Sequence, residues 1–151
     1  MTLDGLTEKI GDYIKETDSF RDEVTVTVDR DAIIPVCRIL KEDADCSFDF
    51  LSDCCGLDRL PETPRFMVVY QLYSLRYGHR VRIKVPLEED DAEIETLTPL
   101  WKAANWLERE CFDMFGIRFT GHPDLRRIIT PPGLEGYPLK KDFPLEGSET
   151  T

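Results

Sequence analysis

Hydrophobic residues near the N-terminus first follow a helical spacing and then alternate with polar ones. The helical series is Leu3, Leu6, Ile10, Tyr13 and Ile14. Side chains three and four positions apart share one side of a helix, so this series predicts an amphipathic helix over residues 3–15. Farther along, Val24, Val26 and Val28 alternate with two threonines, which is typical of a half-buried β-strand.

A second helix is predicted directly after this strand. Its buried side would consist of Ile33, Ile34, Cys37 and Leu40. Asp31 is placed to cap the first turn, and Pro35 falls inside that turn, where amide groups have no partner within the helix. A short strand is then expected over residues 48–51.

The clearest sheet pattern is a pair of alternating segments, residues 65–75 and 80–85. In the first segment one face carries Phe66, Val68, Tyr70 and Leu72, and in the second it carries Val81, Ile83 and Val85. The connecting Tyr77-Gly78-His79 supplies a turn residue. The two segments are therefore predicted to form a β-hairpin.

Residues 87–95 form an acidic connector before a third predicted helix over residues 100–115. Thr98 followed by Pro99 resembles a helix start, because a threonine can cap the helix and a proline suits the first helical position. The predicted buried stripe is Leu100, Ala104, Leu107, Cys111 and Met114. Gly116 lies just beyond the predicted end, where a left-handed residue often terminates a helix.

Prolines and glycines recur from Gly121 onward and make a further helix or paired strand implausible. Apolar residues are nevertheless scattered among them: Leu125, Ile128, Ile129, Leu134, Tyr137, Leu139, Phe143 and Leu145. The prediction is a two-layer α+β domain over residues 1–120, with helices packed on a mostly antiparallel sheet. Residues 121–151 would form an extended partner-binding arm, and residues 133–151 should be mobile until a partner binds.

The charge of the chain excludes several kinds of partner. Thirty acidic and 19 basic residues give a net charge of −11, which disfavours nucleic acids and anionic membrane surfaces. No apolar run is long enough to cross a membrane, and the N-terminus does not resemble a signal peptide. The protein is therefore expected to stay in the cytoplasm without inserting into the membrane, and its five cysteines should be reduced.

The cysteines raise the question of a metal or catalytic site. Cys54 and Cys55 are adjacent, not spaced as in zinc or iron–sulfur motifs, so we expect neither metal nor cluster. A thiol enzyme that uses Cys111 and His122 is an alternative, although Cys111 falls on the predicted buried stripe. The glycine patterns of nucleotide-binding loops do not occur in the chain.

The densest group of charged residues lies around the end of the third helix. It comprises Glu108, Arg109, Glu110, Asp113, His122, Pro123, Asp124, Arg126 and Arg127. Glu110 and Asp113 are three positions apart and would share one side of the helix. Arg126 or Arg127 could place a guanidinium between them, which would fasten the root of the arm to the helix.

These residues also carry a family resemblance. Residues 108–117, with Phe119 and residues 121–129, closely resemble the signature of the thirty-kilodalton subunit family of NADH–quinone oxidoreductase, which is respiratory complex I. Ala104-Asn105-Trp106 leads into that signature as in the family, and residues 136–144 resemble the family's tail. The strong match covers residues 97–145, and weaker agreement extends over residues 3–85.

The resemblance implies a scaffold with no catalytic, cofactor-binding or metal-binding residue on this chain. In such complexes electrons pass from NADH through FMN and iron–sulfur clusters to quinone, and these groups are held by partner subunits. The implied partners are the large quinone-site subunit and the subunit with the terminal cluster, on the cytoplasmic side of the membrane. The charged group above would serve assembly.

Two alternatives remain open from the sequence. An equivalent subunit of a membrane-bound hydrogenase, a formate-hydrogenlyase-type complex, or a complex supplied by ferredoxin or F420 shares this domain. The electron donor is bound by other subunits, so this sequence does not distinguish among these complexes.

Overall fold

The computed structural model describes residues 2–144, which form an α+β domain followed by an extended segment. Its main sheet contains five strands: β1 (Ile14–Phe20), β2 (Glu23–Val28), β3 (Phe50–Asp58), β4 (Phe66–Tyr73) and β5 (Arg80–Leu87). Their order across the sheet is β1-β2-β5-β4-β3. Three of the four pairings are antiparallel, whereas β2 and β5 are parallel.

Three α-helices complete the two-layer arrangement: α1 (Leu3–Ile10), α2 (Ile33–Glu42) and α3 (Ala104–Phe115). Their buried side chains join one hydrophobic core with the inward side chains of the sheet. The β4–β5 hairpin is as predicted, with Tyr70 opposite Ile83 and Gly78 at a positive φ in the connection. The predicted fold class is therefore confirmed.

The predicted first helix is too long. The α-helix ends at Ile10, a single 3₁₀ turn covers Gly11–Tyr13, and residues from Ile14 onward form strand β1. β1 joins β2 through Arg21 and Asp22, which both have positive φ, as a two-residue hairpin turn requires. β1 is solvent-exposed beyond Ile14, so its sequence carries little alternation of apolar and polar residues.

The second helix and the third strand also differ from the prediction. Asp31 lies in a 3₁₀ turn before α2 and does not cap the helix with its side chain. The predicted buried residues of α2 are correct except that Ile34 is only half-buried, its place being taken by Val36. β3 runs to Asp58, far beyond the predicted residues 48–51, because an irregularity between Leu51 and Asp53 interrupts its alternating pattern.

The acidic connector and the start of α3 need a further correction. Residues Glu93–Glu95 form strand β6, which pairs in parallel with β7 (Arg118–Thr120) as a second, small sheet. α3 begins at Ala104, not at residue 100. Thr98 and Pro99 lie in a separate turn closed by hydrogen bonds from the Leu100 and Trp101 amides to the Leu97 carbonyl. The predicted end is correct, since Gly116 is left-handed with φ 78°.

The described part of the arm, residues 121–144, contains neither helix nor strand, as predicted. It does not hang free of its own domain, however. The Leu139 amide donates to the Met114 carbonyl at 2.9 Å, and the Tyr137 ring lies on Gly116. The prediction of an arm that stays free until a partner binds is thus wrong for this segment. The rest of that predicted mobile segment, residues 145–151, lies outside the described residues.

Candidate functional site: the junction between the last helix and the arm

The charged residues of α3 do not all face solvent. Glu108, Arg109 and Asp113 are buried, whereas Glu110 is exposed. The buried stripe therefore contains Glu108 and Cys111 together, and Leu107 and Met114 of the predicted stripe differ from each other only in degree of partial exposure or burial along its edge. Each buried charge requires hydrogen-bond partners, and these partners come from other segments of the chain.

Asp113 binds the beginning of the arm. Its Oδ2 accepts hydrogen bonds from the backbone amides of Ile128, Ile129 and Thr130 at 3.2, 2.8 and 3.0 Å. Its Oδ1 accepts from the Thr130 hydroxyl and from Nη1 of Arg127, the latter at 3.3 Å. One fully buried carboxylate thus fixes three consecutive residues of the arm.

The environment of Asp113 has opposing effects on its acidity. Burial alone would raise the pKa of its carboxyl group. The hydrogen bonds from the Thr130 side chain and from the amides of residues 128–130 outweigh burial and hold the pKa below its usual range. Asp113 is therefore a carboxylate at neutral pH, as its contact with Arg127 requires.

Arg127 extends the junction toward the next part of the arm. Its Nη2 donates to the carbonyl of Gly136 at 2.7 Å, and its guanidinium lies 4.8 Å from the ring centroid of Tyr137. That ring in turn packs on Gly116, where a Cβ atom would come within 2.7 Å of it. Arg127 is the guanidinium that the sequence predicted next to Asp113.

Arg126 and Glu110 are not part of this junction, contrary to the predicted clamp. The Arg126 guanidinium is exposed and pairs with Asp124 at 2.9 Å. Its backbone carbonyl accepts a hydrogen bond from Nε of Arg109 at 3.1 Å. Glu110 forms no ion pair with the residues of the described range, because Asp113 points inward, away from its neighbour one turn earlier.

Glu108 is buried on another side of the helix, next to the strand β6. Its carboxylate accepts from the Thr96 hydroxyl at 2.5 Å and from the Leu97 amide at 2.6 Å. Burial raises the pKa of Glu108 to about 7, although both hydrogen bonds act in the opposite direction. Glu108 therefore links α3 to the segment that leads into it, and it does so without a neighbouring cation.

His122 organises the loop between β7 and the arm. Its Nδ1 accepts from the Asp124 amide at 2.9 Å, so the ring proton lies on Nε2, which donates to the Asn105 carbonyl at 3.1 Å. Pro123 is exposed between them. The structure thus brings His122 and Asp124 to α3 and keeps both away from Cys111, which is buried.

A second anchor of the arm was not predicted. The buried Arg65 binds both oxygens of Asp58 at 2.9 and 2.8 Å, and also contacts Glu89 at 2.6 Å and Asp142 at 2.9 Å. The Arg65 side chain, assisted by the Lys141 amide, holds the pKa of Asp58 well below its usual range. A basic residue at the start of an alternating apolar strand, Arg65 before Phe66, was the available signal.

The cysteine thiols are mostly inside the core. Cys37, Cys46, Cys54 and Cys111 are buried, and Cys55 is half-buried on the opposite face of β3. Burial raises the pKa of the Cys111 thiol well above its ordinary value, which disfavours the thiol-enzyme alternative because a catalytic thiolate needs a lowered pKa. Among residues 2–144 no group of acidic, histidine or cysteine side chains is arranged to hold a metal ion.

A family model for the respiratory-chain NADH dehydrogenase 30 Kd subunit matches residues 26–149. The chain is 51% identical to the second of the corresponding NADH-quinone oxidoreductase subunits of Rhizobium etli, over 93% of its length and 74% of that protein. It is 45% identical to the corresponding protein of Geotalea uraniireducens over 95% of its length and 87% of that protein. It spans 61% of the Hyphomonas neptunium protein, to which it is 50% identical.

Two solved structures resemble the fold. A trypsin-resistant fragment of Nqo5 matches with a TM-score of 0.68 and 34% identity, over 83% of this chain and all of that fragment. A chain of the membrane-bound sulfane sulfur reductase, an archaeal respiratory membrane complex, matches with a TM-score of 0.79 and 27% identity. That match covers 95% of this chain and 84% of the other. In the described range of the present chain, no helix is long and apolar enough to cross a bilayer.

Proposed function

Because this chain belongs to the family of the respiratory-chain NADH dehydrogenase 30 Kd subunit, we propose that it is a non-catalytic scaffold in the peripheral arm of a proton-translocating NADH:quinone oxidoreductase. It holds neighbouring subunits in place while electrons pass from NADH through their FMN and iron–sulfur clusters to quinone. Its partners are the large quinone-site subunit and the subunit with the terminal cluster, on the cytoplasmic side of the membrane.

The observation that carries this proposal is the Asp113 junction. The family-signature residues of α3 and the following loop contact one another, and their hydrogen bonds fix the course of the arm. Asp113 and Arg127 act as positioning residues: they hold the backbone of residues 127–130, and through it the surface that meets a partner. The remaining signature residues contribute as the structure places them, His122 by joining its loop to α3.

The structure supplies a matched pair of variants for the test. Arg127→Ala removes a largely buried cation from Asp113 and should destabilise the junction by about 3–5 kcal/mol, whereas Arg126→Ala removes an exposed pair worth about 0–1 kcal/mol. Arg127→Ala should lower the amount of assembled complex on blue-native gels. Activity per assembled complex should stay normal. A fully assembled Arg127→Ala complex without quinone reduction would contradict the scaffold role.

We further propose that no redox group resides on this chain. The purified chain should then be colourless, with no stoichiometric iron, zinc or flavin. Visible absorption and elemental analysis after gel filtration test this directly, and retained metal or flavin would be incompatible with the proposal.

A second candidate is the equivalent subunit of another membrane-bound respiratory complex, such as a hydrogenase or a ferredoxin-dependent complex. The structural likeness to a chain of the sulfane sulfur reductase favours it. Purification of the intact complex through a tag on this chain distinguishes the candidates. A flavin- and NADH-binding subunit in the preparation supports the first proposal, and a nickel-binding subunit supports the second.

A further inference from the structure

An open groove lies beside the first turns of α3, on the side away from the Asp113 junction. We refer to it as the Trp106 groove. Its main lining residues are Pro99, Lys102, Trp106, Arg109, Pro123 and Asp124. Lys102, Trp106 and Arg109 follow one another at intervals of four and three residues, so they project along one side of the helix and the turn before it.

Arg109 is a cation that is held in position without an acidic partner. Only 8% of the residue is exposed, and its Nε is fixed by the hydrogen bond to the Arg126 carbonyl. Its guanidinium lies 5.0 Å from the ring centroid of Trp106. Among residues 2–144, no carboxylate forms an ion pair with Arg109 or Lys102.

Trp106 provides a large apolar surface next to this cation. Its side chain is 61% exposed, although burial of a tryptophan is strongly favourable. Pro99 and Pro123 border the groove with backbone whose φ is fixed, so that the walls lose little freedom on binding. The carboxylate of Asp124 is engaged by Arg126 and leaves the charge of Arg109 available.

We propose that the Trp106 groove binds an acidic segment of a neighbouring subunit. An aspartate or glutamate of that segment receives hydrogen bonds from the Arg109 guanidinium, and an apolar side chain beside it covers Trp106. Charge complementarity identifies this occupant, because two unpaired cations line the groove on a chain whose net charge is −11. The proposal rests on the assembly role proposed above and assigns it a binding surface.

The occupant can be identified by cross-linking in the intact complex. We would place the photoreactive residue benzoylphenylalanine at position 106 and analyse the products by mass spectrometry. The expected product joins this chain to a peptide of another subunit that contains an aspartate or glutamate near the linked residue. A product with a second copy of this chain, with lipid alone, or with a peptide that lacks acidic residues would overturn the proposal.

Variants give an independent measure. Trp106→Ala and Arg109→Gln should each weaken retention of this chain in the complex by roughly 30-fold, as expected for central tryptophan and arginine contacts. Phe20→Ala is the control, because Phe20 is equally exposed, at 65%, on the distant β1–β2 hairpin. Membranes would be washed with increasing salt, and the retained chain quantified on blue-native gels.

The outcomes separate this inference from the function on which it rests. Thermal unfolding of the isolated variants should be near that of the wild type for Trp106→Ala, whose side chain is mostly exposed. If the wild-type chain purifies with the complex and both groove variants are retained equally well, the groove proposal is wrong and the scaffold role stands. If the wild-type chain does not purify with any respiratory complex, the scaffold role itself fails.

Discussion

Substitution of Asp113 by alanine should release the arm from the domain. The change removes the acceptor of three backbone amides, of the Thr130 hydroxyl and of Arg127, all in a site where Asp113 is fully shielded from water. The orphaned groups would have to be hydrated, and hydration requires residues 127–130 to leave α3.

The magnitude follows from the kind of contact. Loss of one partner of a buried charge pair costs about 3–5 kcal/mol, and a hydrogen bond to a charged group about 1.5–3 kcal/mol. These values are not additive, because release of the arm lets all the stranded donors reach water together. We therefore expect a loss of about 3–5 kcal/mol in the free energy of unfolding, with the sheet and α1 and α2 still folded.

Hydrogen exchange and denaturant unfolding measure both parts of this expectation. The amides of Ile128, Ile129 and Thr130 should be protected in the wild type and exchange rapidly in Asp113→Ala. Glu110→Ala is the control on the same helix, because its side chain is exposed and should change stability by less than about 0.5 kcal/mol. Unchanged protection of the three amides in Asp113→Ala would show that the arm is held by other contacts and would refute this reasoning.

Three further predictions concern other parts of the junction and the core. Gly116→Ala should destabilise the chain by about 1–3 kcal/mol in denaturant unfolding, because the new Cβ meets both the left-handed backbone and the Tyr137 ring. Burial raises the pKa of Glu108 from 4.5 to about 7, so the folded state binds a proton more tightly than the unfolded chain, and stability should fall as pH rises between these values. Glu108→Gln should remove most of that pH dependence in unfolding experiments. Iodoacetamide should modify the half-buried Cys55 before the buried Cys111 in the native chain, as peptide mapping would show.

The parts of the fold that the sequence predicts well are those where one face is buried and the other is wet. The β4–β5 hairpin and β2 alternate regularly, so their pattern determines which side chains enter the core. β1 could not be predicted in this way, since both of its faces meet solvent beyond Ile14. β3 was shortened in prediction because its core positions include a bulge and Gly56, which is small where the Phe115 ring packs against it.

The candidate site was predicted in its membership but not in its contacts. Charge and spacing suggested a clamp between carboxylates and arginines, and the Asp113–Arg127 pair is such a clamp. The larger contribution, three backbone amides that donate to one carboxylate, depends on how residues 128–130 turn in space, and no side-chain pattern encodes it. Likewise, burial of Glu108 follows from the rotation of α3 once it begins at Ala104.

The parallel pairing of β2 with β5 also constrains the order in which the chain can fold during synthesis. Residues 24–27 pair with residues 81–84, and α2, β3 and β4 lie between them in sequence. The inner edge of the β1–β2 hairpin therefore has no partner until β5 has left the ribosome, and contacts between such distant segments form slowly. Release of an incomplete chain that ends before Arg80 would expose the edge of β2, which makes such fragments prone to aggregation.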